Sequence, residues 1–278
     1  MNPSVSIVIV NYNGEAYISR AIESALAQRY DGRLDVIVVD NCSADASVQS
    51  LRKLRSISLI ENAANVGFGG AANRAAMDST ADYLAFLNPD AIADADWLEQ
   101  VVPWMNERGI QLASSVVRAG RSVWFAGGIF VQQFGAPLVK RHAVNRTDWL
   151  SGCALLALRK TFSTLGGFDD AFFLYCEDVD LVLRARKAGH RVAVFPGALV
   201  DHRFHGRSTN TLHEVKLTIA YASRGRLIAK HVNGVWQPLA LAFTCLVSPL
   251  RNGVGLSHLP AIVQAVIRGF RAVKRANP

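Results

Sequence analysis

Short apolar runs alternate with amphipathic stretches over the first half of this chain. Residues 5–10 and 36–39 are rich in β-branched side chains, whereas residues 17–26 carry apolar side chains at helical spacing. By the same criteria, further strands are predicted at 59–60, 83–87 and 192–195, and further helices at 47–54, 70–77 and 96–105. Apolar strands separated by helices predict an α/β fold with a mainly parallel sheet flanked by helices.

This pattern also predicts where a ligand binds. Open sheets of this kind bind ligands beyond the carboxyl ends of their strands. Polar residues follow three of the predicted strands, at 11–13, 40–43 and 88–90. We expect one pocket to collect all three groups. From 112 to 139, short β runs with glycine pairs predict a mixed or antiparallel extension of the sheet.

The cysteines and the first residues point to a cytoplasmic protein. The 278-residue chain has four cysteines, widely spaced and without a CxxC pair, which argues against a zinc knuckle or a disulfide-stapled secreted scaffold. The first ten residues lack the basic segment and the long apolar run of a signal peptide. With half of its residues apolar, the chain can bury one large core.

The net positive charge is confined to the end of the chain. Residues 202–278 carry eleven Lys or Arg and one acidic residue, so that the preceding part has a net charge of −2. A near-neutral body with a basic, apolar end favours attraction to an anionic membrane surface over binding of nucleic acid. We predict a catalytic domain at 1–210 and a basic, apolar helical tail at 211–278.

The tail has an uncharged, strongly apolar segment at 232–250. Pro238 and Pro249 interrupt it, so helices lying in the membrane interface are expected instead of a straight transmembrane span. The alternative is that the segment packs on the body or forms the contact of a homo-oligomer.

Asp90 is a candidate metal ligand. Asn88-Pro89-Asp90 ends an apolar strand and places Asp90 at the lip of the sheet, where it could hold Mg²⁺ or Mn²⁺ bound to a diphosphate. The same tripeptide is also common in capped turns. His202 and His205 follow the last strand, and either could complete the metal site or contact phosphate.

Two further segments suggest nucleotide binding. Asp40 follows its strand directly and could accept a hydrogen bond from a base or ribose, although it could also cap the next helix, a role that Ser43 or Asp45 fills equally well. Residues 65–73 form a small-residue loop that allows close approach of an anionic ligand. Because they miss the GxGxxG pattern and follow the third strand, a dinucleotide-binding dehydrogenase is disfavoured.

Three carboxylates lie within four positions at Glu177, Asp178 and Asp180. Like charges this close raise one another's pKa values, which suits a general base. The alternative is a helix start, where acidic side chains favour the positive end of the helix dipole. Asp180 is the member expected to be structural, because Arg184 is four residues further on and can pair with it.

Six segments resemble, in order, the inverting glycosyltransferases of family 2, in particular the rhamnosyltransferase-like branch. They are residues 5–13, 38–43, 65–70, 88–90, 149–152 and 175–178. The resemblance covers residues 4–208 and implies a GT-A fold, a nucleotide-diphosphate sugar donor linked to dTDP, UDP or GDP, and a divalent cation.

The resemblance also implies roles for individual residues. The donor is expected against Asn11, Tyr12, Asn13, Asp40, Asn65, Gly67, Asn88, Trp149 and Gly152. The metal is expected at Asp90 with His202 or His205, and the catalytic base at Asp178, with Glu177 as the second choice. Asn88 stands where the commoner DxD pattern has its first aspartate, which weakens a metal role for Asn88 itself.

These roles predict an inverting, metal-dependent transfer of a sugar such as rhamnose to a glycan or polyprenyl-diphosphate-linked acceptor, at the inner face of the cell membrane, in the assembly of cell-surface polysaccharide. One alternative is a nucleotidyltransferase, which needs a basic glycine-rich loop after the first strand, and residues 11–14 are not basic. The other is a non-catalytic, membrane-docked module that binds sugar nucleotides. The presence of Glu177, Asp178 and Asp90 together argues against it.

Overall fold

A computed structural model of the chain describes residues 2–142, 147–202, 210–251 and 254–276. Its strands are β1 (Val5–Asn11), β2 (Leu34–Asp40), β3 (Ser58–Glu61), β4 (Tyr83–Leu87), β5 (Ala91–Ala93), β6 (Leu112–Ala119), β7 (Ser122–Phe125), β8 (Gly128–Val131), β9 (Ala136–Val139), β10 (Ala154–Leu158) and β11 (Val192–His202). Its α-helices are α1 (Ile18–Leu26), α2 (Ser47–Leu51), α3 (Gly67–Asp78), α4 (Trp97–Glu107), α5 (Arg159–Thr164), α6 (Glu177–Lys187), α7 (Asn210–His231), α8 (Gln237–Ala242), α9 (Ser248–Arg251) and α10 (Leu259–Ala276). A π-helical turn, Phe243–Val247, joins α8 to α9.

One sheet runs through the body in the order β3-β2-β1-β4-β10-β6-β11-β5, with β7 paired to β6. The first four of these strands are parallel, as the apolar runs predict. Strand β10 runs antiparallel to both β4 and β6, so the sheet as a whole is mixed. Strands β8 and β9 form a separate antiparallel hairpin.

The core forms where the parallel strands meet their helices. All seven residues of β1 are buried, which is why its side chains are apolar on both faces of the strand, apart from Ser6 and the terminal Asn11. Helix α3 packs against β1 and β2 through small residues, and a Cβ at Gly69 would press against Phe168. Phe86, Phe162 and Phe168 contact one another in the same core, with ring centroids 5.2–5.3 Å apart.

Several boundaries differ from the predicted ones. The helix predicted at 47–54 ends at Leu51, and the one predicted at 70–77 begins at Gly67. The glycine-rich residues 67–70 therefore form the first turn of α3, not a loop. Gly67 has φ +80°, and a Cβ there would overlap the carbonyl oxygen of Phe173, so glycine permits this close approach.

The tail is packed onto the body. Leu227, Ile228 and Val232 belong to the same hydrophobic core as the sheet. Helix α10 crosses α7 closely at Gly225 and Gly269. A Cβ at either glycine would overlap a carbonyl oxygen of the other helix, so glycine is what permits this close approach. Within the described part of the chain, no helix combines the length and the apolar character needed to cross a membrane. The domain boundary near residue 210 stays a prediction.

Candidate functional site

The carboxyl ends of β1, β2 and β4 lie side by side at one edge of the sheet, because β1 pairs in parallel with both of the other strands. Asn11 and Asp40, the last residues of β1 and β2, are register partners. Asn88 follows β4 directly. The three polar groups expected to share one pocket therefore lie at one edge of the sheet.

Asn11 and Asp40 hold the loops after β1 and β2 together. Both side chains are buried, and Asn11 Nδ2 donates to Asp40 Oδ1 at 2.8 Å and to Ser47 Oγ at 2.8 Å. The Asp40 carboxylate also accepts the backbone N–H of Ser43 at 3.0 Å. Helix α2 begins at Ser47 with Ala46 at its N-cap and has no capping side chain, so Asp40 does not cap it. The N–H and the hydroxyl of Ser47 both donate to Asp45.

The next two residues extend this edge. Asn13 adopts φ 51°, and its Oδ1 accepts the N–H of Ala44 at 2.8 Å. Its own N–H donates to Ser43 Oγ at 2.9 Å. Tyr12, between these anchored residues, is 47% exposed, so its ring lies at the surface of the sheet edge.

Asn41 is a residue that the sequence analysis left without a role. Its buried amide donates to Asn65 Oδ1 at 2.8 Å and accepts from Asn62 Nδ2 at 3.0 Å and from the N–H of Val66 at 3.1 Å. Asn65 Oδ1 also accepts the N–H of Gly67 at 2.9 Å. Asn41 thus fixes the segment that leads into α3. Its position directly after Asp40, at the end of a buried strand, was the available signal.

Glu177 and Asp178 begin α6, where backbone groups hold one of the two carboxylates. Asp178 Oδ2 accepts the N–H of Gly152 at 2.9 Å, and Oδ1 accepts the N–H of Val179 at 2.8 Å. Glu177 is 7% exposed, and among the described residues its Oε2 has no hydrogen-bond partner. The two carboxylates therefore differ: one is oriented by two donors, and the other has an oxygen left for a ligand.

Burial dominates the acid–base properties of this pair. Burial and the neighbouring charge of Asp178 raise the pKa of Glu177 to about 8. Burial also raises the pKa of Asp178, against the opposing effect of the N–H groups of Gly152 and Val179. Because the two N–H donors favour the ionised form of Asp178, we expect a proton shared by the pair to reside on Glu177.

Asp180, the third carboxylate, is structural as predicted. It is fully buried and pairs with Arg184 Nε at 2.7 Å, with Lys230 Nζ at 2.6 Å and with His231 Nε2 at 2.7 Å. Burial opposes its ionisation, but the hydrogen bond from His231 and the charges of Arg184 and Lys230 outweigh burial and lower its pKa to about 2. Asp180 thus joins α6 to α7.

Asp90 and His202 form a second polar pair. His202 Nε2 lies 2.9 Å from Asp90 Oδ1, and the imidazole ring also lies beside Trp124, with ring centroids 5.1 Å apart. His205 lies outside the described residues, as do Arg203 and Arg207. Within the described ranges, no group of three His, Cys, Asp or Glu side chains could hold a metal ion without other ligands.

Two further predicted residues form the wall between these pairs. Trp149 is buried against Phe125, with ring centroids 5.1 Å apart, and a Cβ on Gly128 would overlap its indole. Gly152 contributes through its backbone N–H, which donates to Asp178.

A cleft of about 680 Å³ brings both polar pairs together. Of the predicted site residues, it is lined by Asn88, Asp90, Trp149, Gly152, Glu177, Asp178 and His202. Asn11, Tyr12, Asn13, Asp40, Asn65 and Gly67 lie outside its lining, at the neighbouring ends of β1 and β2 and at the start of α3. The tail adds Lys216, Leu217 and Ala220 to the cleft, a contribution that the sequence analysis did not foresee.

A mixed α/β sheet with a carboxylate pair and an Asp–His pair in one cleft agrees with the GT-A glycosyltransferase fold that the sequence resemblance implies. The chain belongs to glycosyl transferase family 2, whose sequence profile matches residues 6–153. This membership favours sugar transfer over the nucleotidyltransferase and binding-module alternatives.

Relatives of known name agree with this assignment. The chain is 25% identical over 268 residues to rhamnosyltransferase WbbL of Escherichia coli K12, covering 84% of this chain and 100% of WbbL. It is 27% identical to the N-acetylglucosaminyl-diphospho-decaprenol L-rhamnosyltransferase of Mycobacterium tuberculosis, covering 99% of this chain and 97% of that enzyme.

Solved structures confirm the GT-A fold. The mannosyltransferase PcManGT from Pyrobaculum calidifontis, in complex with GDP-Man and Mn²⁺, superposes with a TM-score of 0.63 at 17% identity, covering 100% of this chain and 77% of that one. Staphylococcus aureus TarS 1–349 in complex with UDP superposes with a TM-score of 0.60 at 17% identity, covering 99% of this chain and 91% of that one.

Proposed function

We propose that the chain transfers a sugar of the rhamnose type, with inversion, from a nucleotide-diphosphate donor to a hydroxyl of a lipid-linked sugar in polysaccharide assembly. The observation that carries this proposal is the shared cleft, in which the Glu177–Asp178 pair lies in the same cavity as the Asp90–His202 pair. The two relatives named above are both rhamnosyltransferases, and one is named for a decaprenol-linked sugar diphosphate.

Asp178 is the proposed base. Its carboxylate accepts the N–H groups of Gly152 and Val179, and these two hydrogen bonds favour its ionised form. In the proposed step it removes the proton of the acceptor hydroxyl while that oxygen attacks the anomeric carbon of the donor. The bond from this carbon to the nucleotide diphosphate breaks on the opposite face, so the configuration inverts.

Glu177 has a different proposed role. A carboxyl group with a pKa of about 8 is neutral at pH 7, and the free Oε2 oxygen allows it to share a hydrogen bond with an acceptor hydroxyl. Because Glu177 is neutral, no second negative charge lies beside the Asp178 carboxylate. Glu177 therefore orients the acceptor while Asp178 takes the proton.

The residues present fit a divalent cation. Mg²⁺ and Mn²⁺ take oxygen ligands and are commonly held by one or two carboxylates together with substrate phosphates, so a site with few protein ligands is typical of the group. Asp90 and His202, paired at 2.9 Å, would hold the ion. When bound, the cation would offset negative charge on the leaving diphosphate.

The nucleotide is proposed to lie along the ends of β1 and β2. Tyr12 offers an exposed ring there, and Asp40 and Asn41 order the surrounding loops. PcManGT and TarS are described with GDP-Man and UDP, so nucleotide donors accompany this fold in both. The base of the donor nucleotide is open between dTDP, UDP and GDP, with dTDP suited to rhamnose.

The tail is proposed to hold the enzyme at an anionic membrane, where a lipid-linked acceptor resides. Its helices present large apolar side chains to solvent at Val235, Trp236, Leu239, Leu246, Val247 and Leu250. Basic residues flank this surface in the sequence, and a basic, apolar surface suits an anionic headgroup layer. The competing proposal is that the same surface joins two copies of the chain.

A transfer assay tests the proposed function. Wild-type protein is incubated with dTDP-rhamnose, Mn²⁺ and an octyl-diphosphate-linked N-acetylglucosamine, and the anomeric configuration of the product is read by NMR. Asp178→Asn should lower kcat by about 10²-fold or more while donor affinity changes little. Asp31→Asn, at an exposed aspartate before β2, is the matched control and should be fully active. A product that retains configuration would overturn the inverting mechanism.

A further inference from the structure

A second cavity, of about 300 Å³, adjoins the catalytic cleft. It is lined by the hairpin strand β9, the loop before α6, helix α7, the π-helical turn Phe243–Val247 and the start of α9. Four residues line both cavities: Pro137, Tyr175, Cys176 and Ala220. The two cavities are therefore neighbours that share part of their walls.

Arg224 is the only charged residue among the described residues that line this second cavity. Its Nη1 donates to Ser248 Oγ at 2.7 Å, which fixes the guanidinium against the start of α9. Burial raises the pKa of the neighbouring Cys176 thiol, and the charge of Arg224 opposes that effect, so the guanidinium acts electrostatically inside the cavity. The other walls are largely apolar, with Pro137 and Phe243 among them.

Lys216, Ala220 and Arg224 form a stripe on one face of α7. They are four residues apart, so their side chains lie above one another on the helix, and the two cations are separated by about 12 Å along its axis. Lys216 lines the catalytic cleft, Arg224 lines the second cavity, and Ala220 lines both. Ala220, which both cavities share, contributes only a methyl group to their walls.

We propose that this stripe binds the anionic linker of the acceptor, with Arg224 holding a phosphate in the second cavity. The inference rests on the proposed function, since the acceptor sugar must place its hydroxyl at Asp178. Within the cleft, Asp178 and Asp90 disfavour an anion that no bound cation bridges, so the phosphate of the acceptor is better placed outside it. The adjoining second cavity offers the fork-shaped guanidinium of Arg224 among apolar walls, which suits a phosphate followed by a lipid chain.

A direct binding measurement on the full chain tests this subsite without requiring transfer. Octyl diphosphate is titrated by calorimetry into wild type, Arg224→Gln, Arg224→Lys and Arg226→Gln. The last variant removes the same charge from α7 at a residue that lies outside the lining of both cavities. Arg224→Gln should weaken binding about 10- to 100-fold, Arg224→Lys less, and Arg226→Gln not at all.

Two further measurements test whether the phosphate belongs to the acceptor or to the donor, and whether a loss of binding reflects misfolding. Affinity for dTDP should be unchanged in Arg224→Gln, because the stripe serves the acceptor and not the donor. Lys216→Gln, at an exposed position that can change without unfolding the chain, should weaken octyl diphosphate binding about threefold.

The proposal is overturned if wild type does not bind octyl diphosphate, if Arg224→Gln binds it as tightly as wild type, or if that variant loses dTDP affinity by the same factor. Octyl diphosphate binding together with absence of transfer by the wild type would instead count against the proposed function alone.

Discussion

Replacement of Asp180 by asparagine tests whether the tail helix α7 and the body form one cooperative unit. Asp180 is fully buried on α6, and its carboxylate contacts Lys230 Nζ at 2.6 Å and His231 Nε2 at 2.7 Å, both on α7. Arg184, on the same helix as Asp180, supplies a third contact at 2.7 Å. This cluster is the main polar connection between the catalytic helix and the tail among the described residues.

The pKa of Asp180 sets the size of the effect. Its pKa falls from an ordinary value of 3.8 to about 2 in the folded chain. At about 1.4 kcal/mol per pKa unit, this difference corresponds to about 2.5 kcal/mol of stability at neutral pH. Because the folded pKa is the lower one, the contribution is complete above about pH 4 and is lost as pH falls towards 2. Asparagine also leaves buried positive charge without its partner, so we expect a loss of about 2–4 kcal/mol at pH 7.

Urea unfolding followed by circular dichroism and by tryptophan fluorescence measures this loss. We expect one transition, shifted to lower urea in Asp180→Asn and unchanged in the exposed control Asp31→Asn. A loss below about 0.5 kcal/mol would refute the argument from the buried cluster, since substitutions away from such features have effects of that size. Two separate transitions would show that the tail unfolds on its own and would support the domain boundary near residue 210.

The remaining predictions concern catalysis and the membrane. A base loses activity as pH falls through its own pKa, so the acid limb of the pH profile of kcat/KM should lie above the ordinary range of an aspartate, because burial raises the pKa of Asp178, and Glu177→Gln should leave that limb in place. A limb near pH 8 that Glu177→Gln abolishes would make Glu177, whose pKa is about 8, the base. Asp90→Ala and EDTA should each lower donor affinity and kcat, and full activity under both conditions would remove the metal from the proposal. The full chain should sediment with anionic liposomes at low salt and be released at high salt. A discrete oligomer that does not sediment with liposomes of any composition would assign the apolar tail surface to self-association instead.

The sequence predicted the elements whose burial follows from local pattern. Strand β1 is buried along its whole length and is rich in β-branched apolar residues, and the helix predicted at 17–26 is observed as Ile18–Leu26. The glycine-rich start of α3 was misjudged, because glycine has a low intrinsic helix propensity. Packing decides there: helix α3 approaches Phe168 so closely that only glycine fits at position 69.

The candidate site was predictable to the extent that its residues follow strands or begin a helix. Asp90 and Asp178 were identified in this way, and both line the cleft. Lys216 and Arg224 were not, because their relation to the cleft depends on where α7 docks, and that docking rests on contacts between residues about 50 positions apart, such as Ser223 Oγ with the carbonyl oxygen of Leu174 at 2.9 Å. No local pattern encodes such a contact.

The position of α7 suggests that donor and acceptor are bound by different parts of the chain. The profile of family 2 ends at residue 153, before the proposed base Asp178 and before the stripe on α7. The family profile thus covers the ends of β1, β2 and β4, where the nucleotide is proposed to bind. The groups proposed to contact the acceptor lie outside it, on α6 and in the tail. Because Asp180 ties α6 to α7, a shift of the tail would move Asp178 and Arg224 together. We therefore expect acceptor specificity to vary with the sequence of 175–250 while donor chemistry follows the first 153 residues.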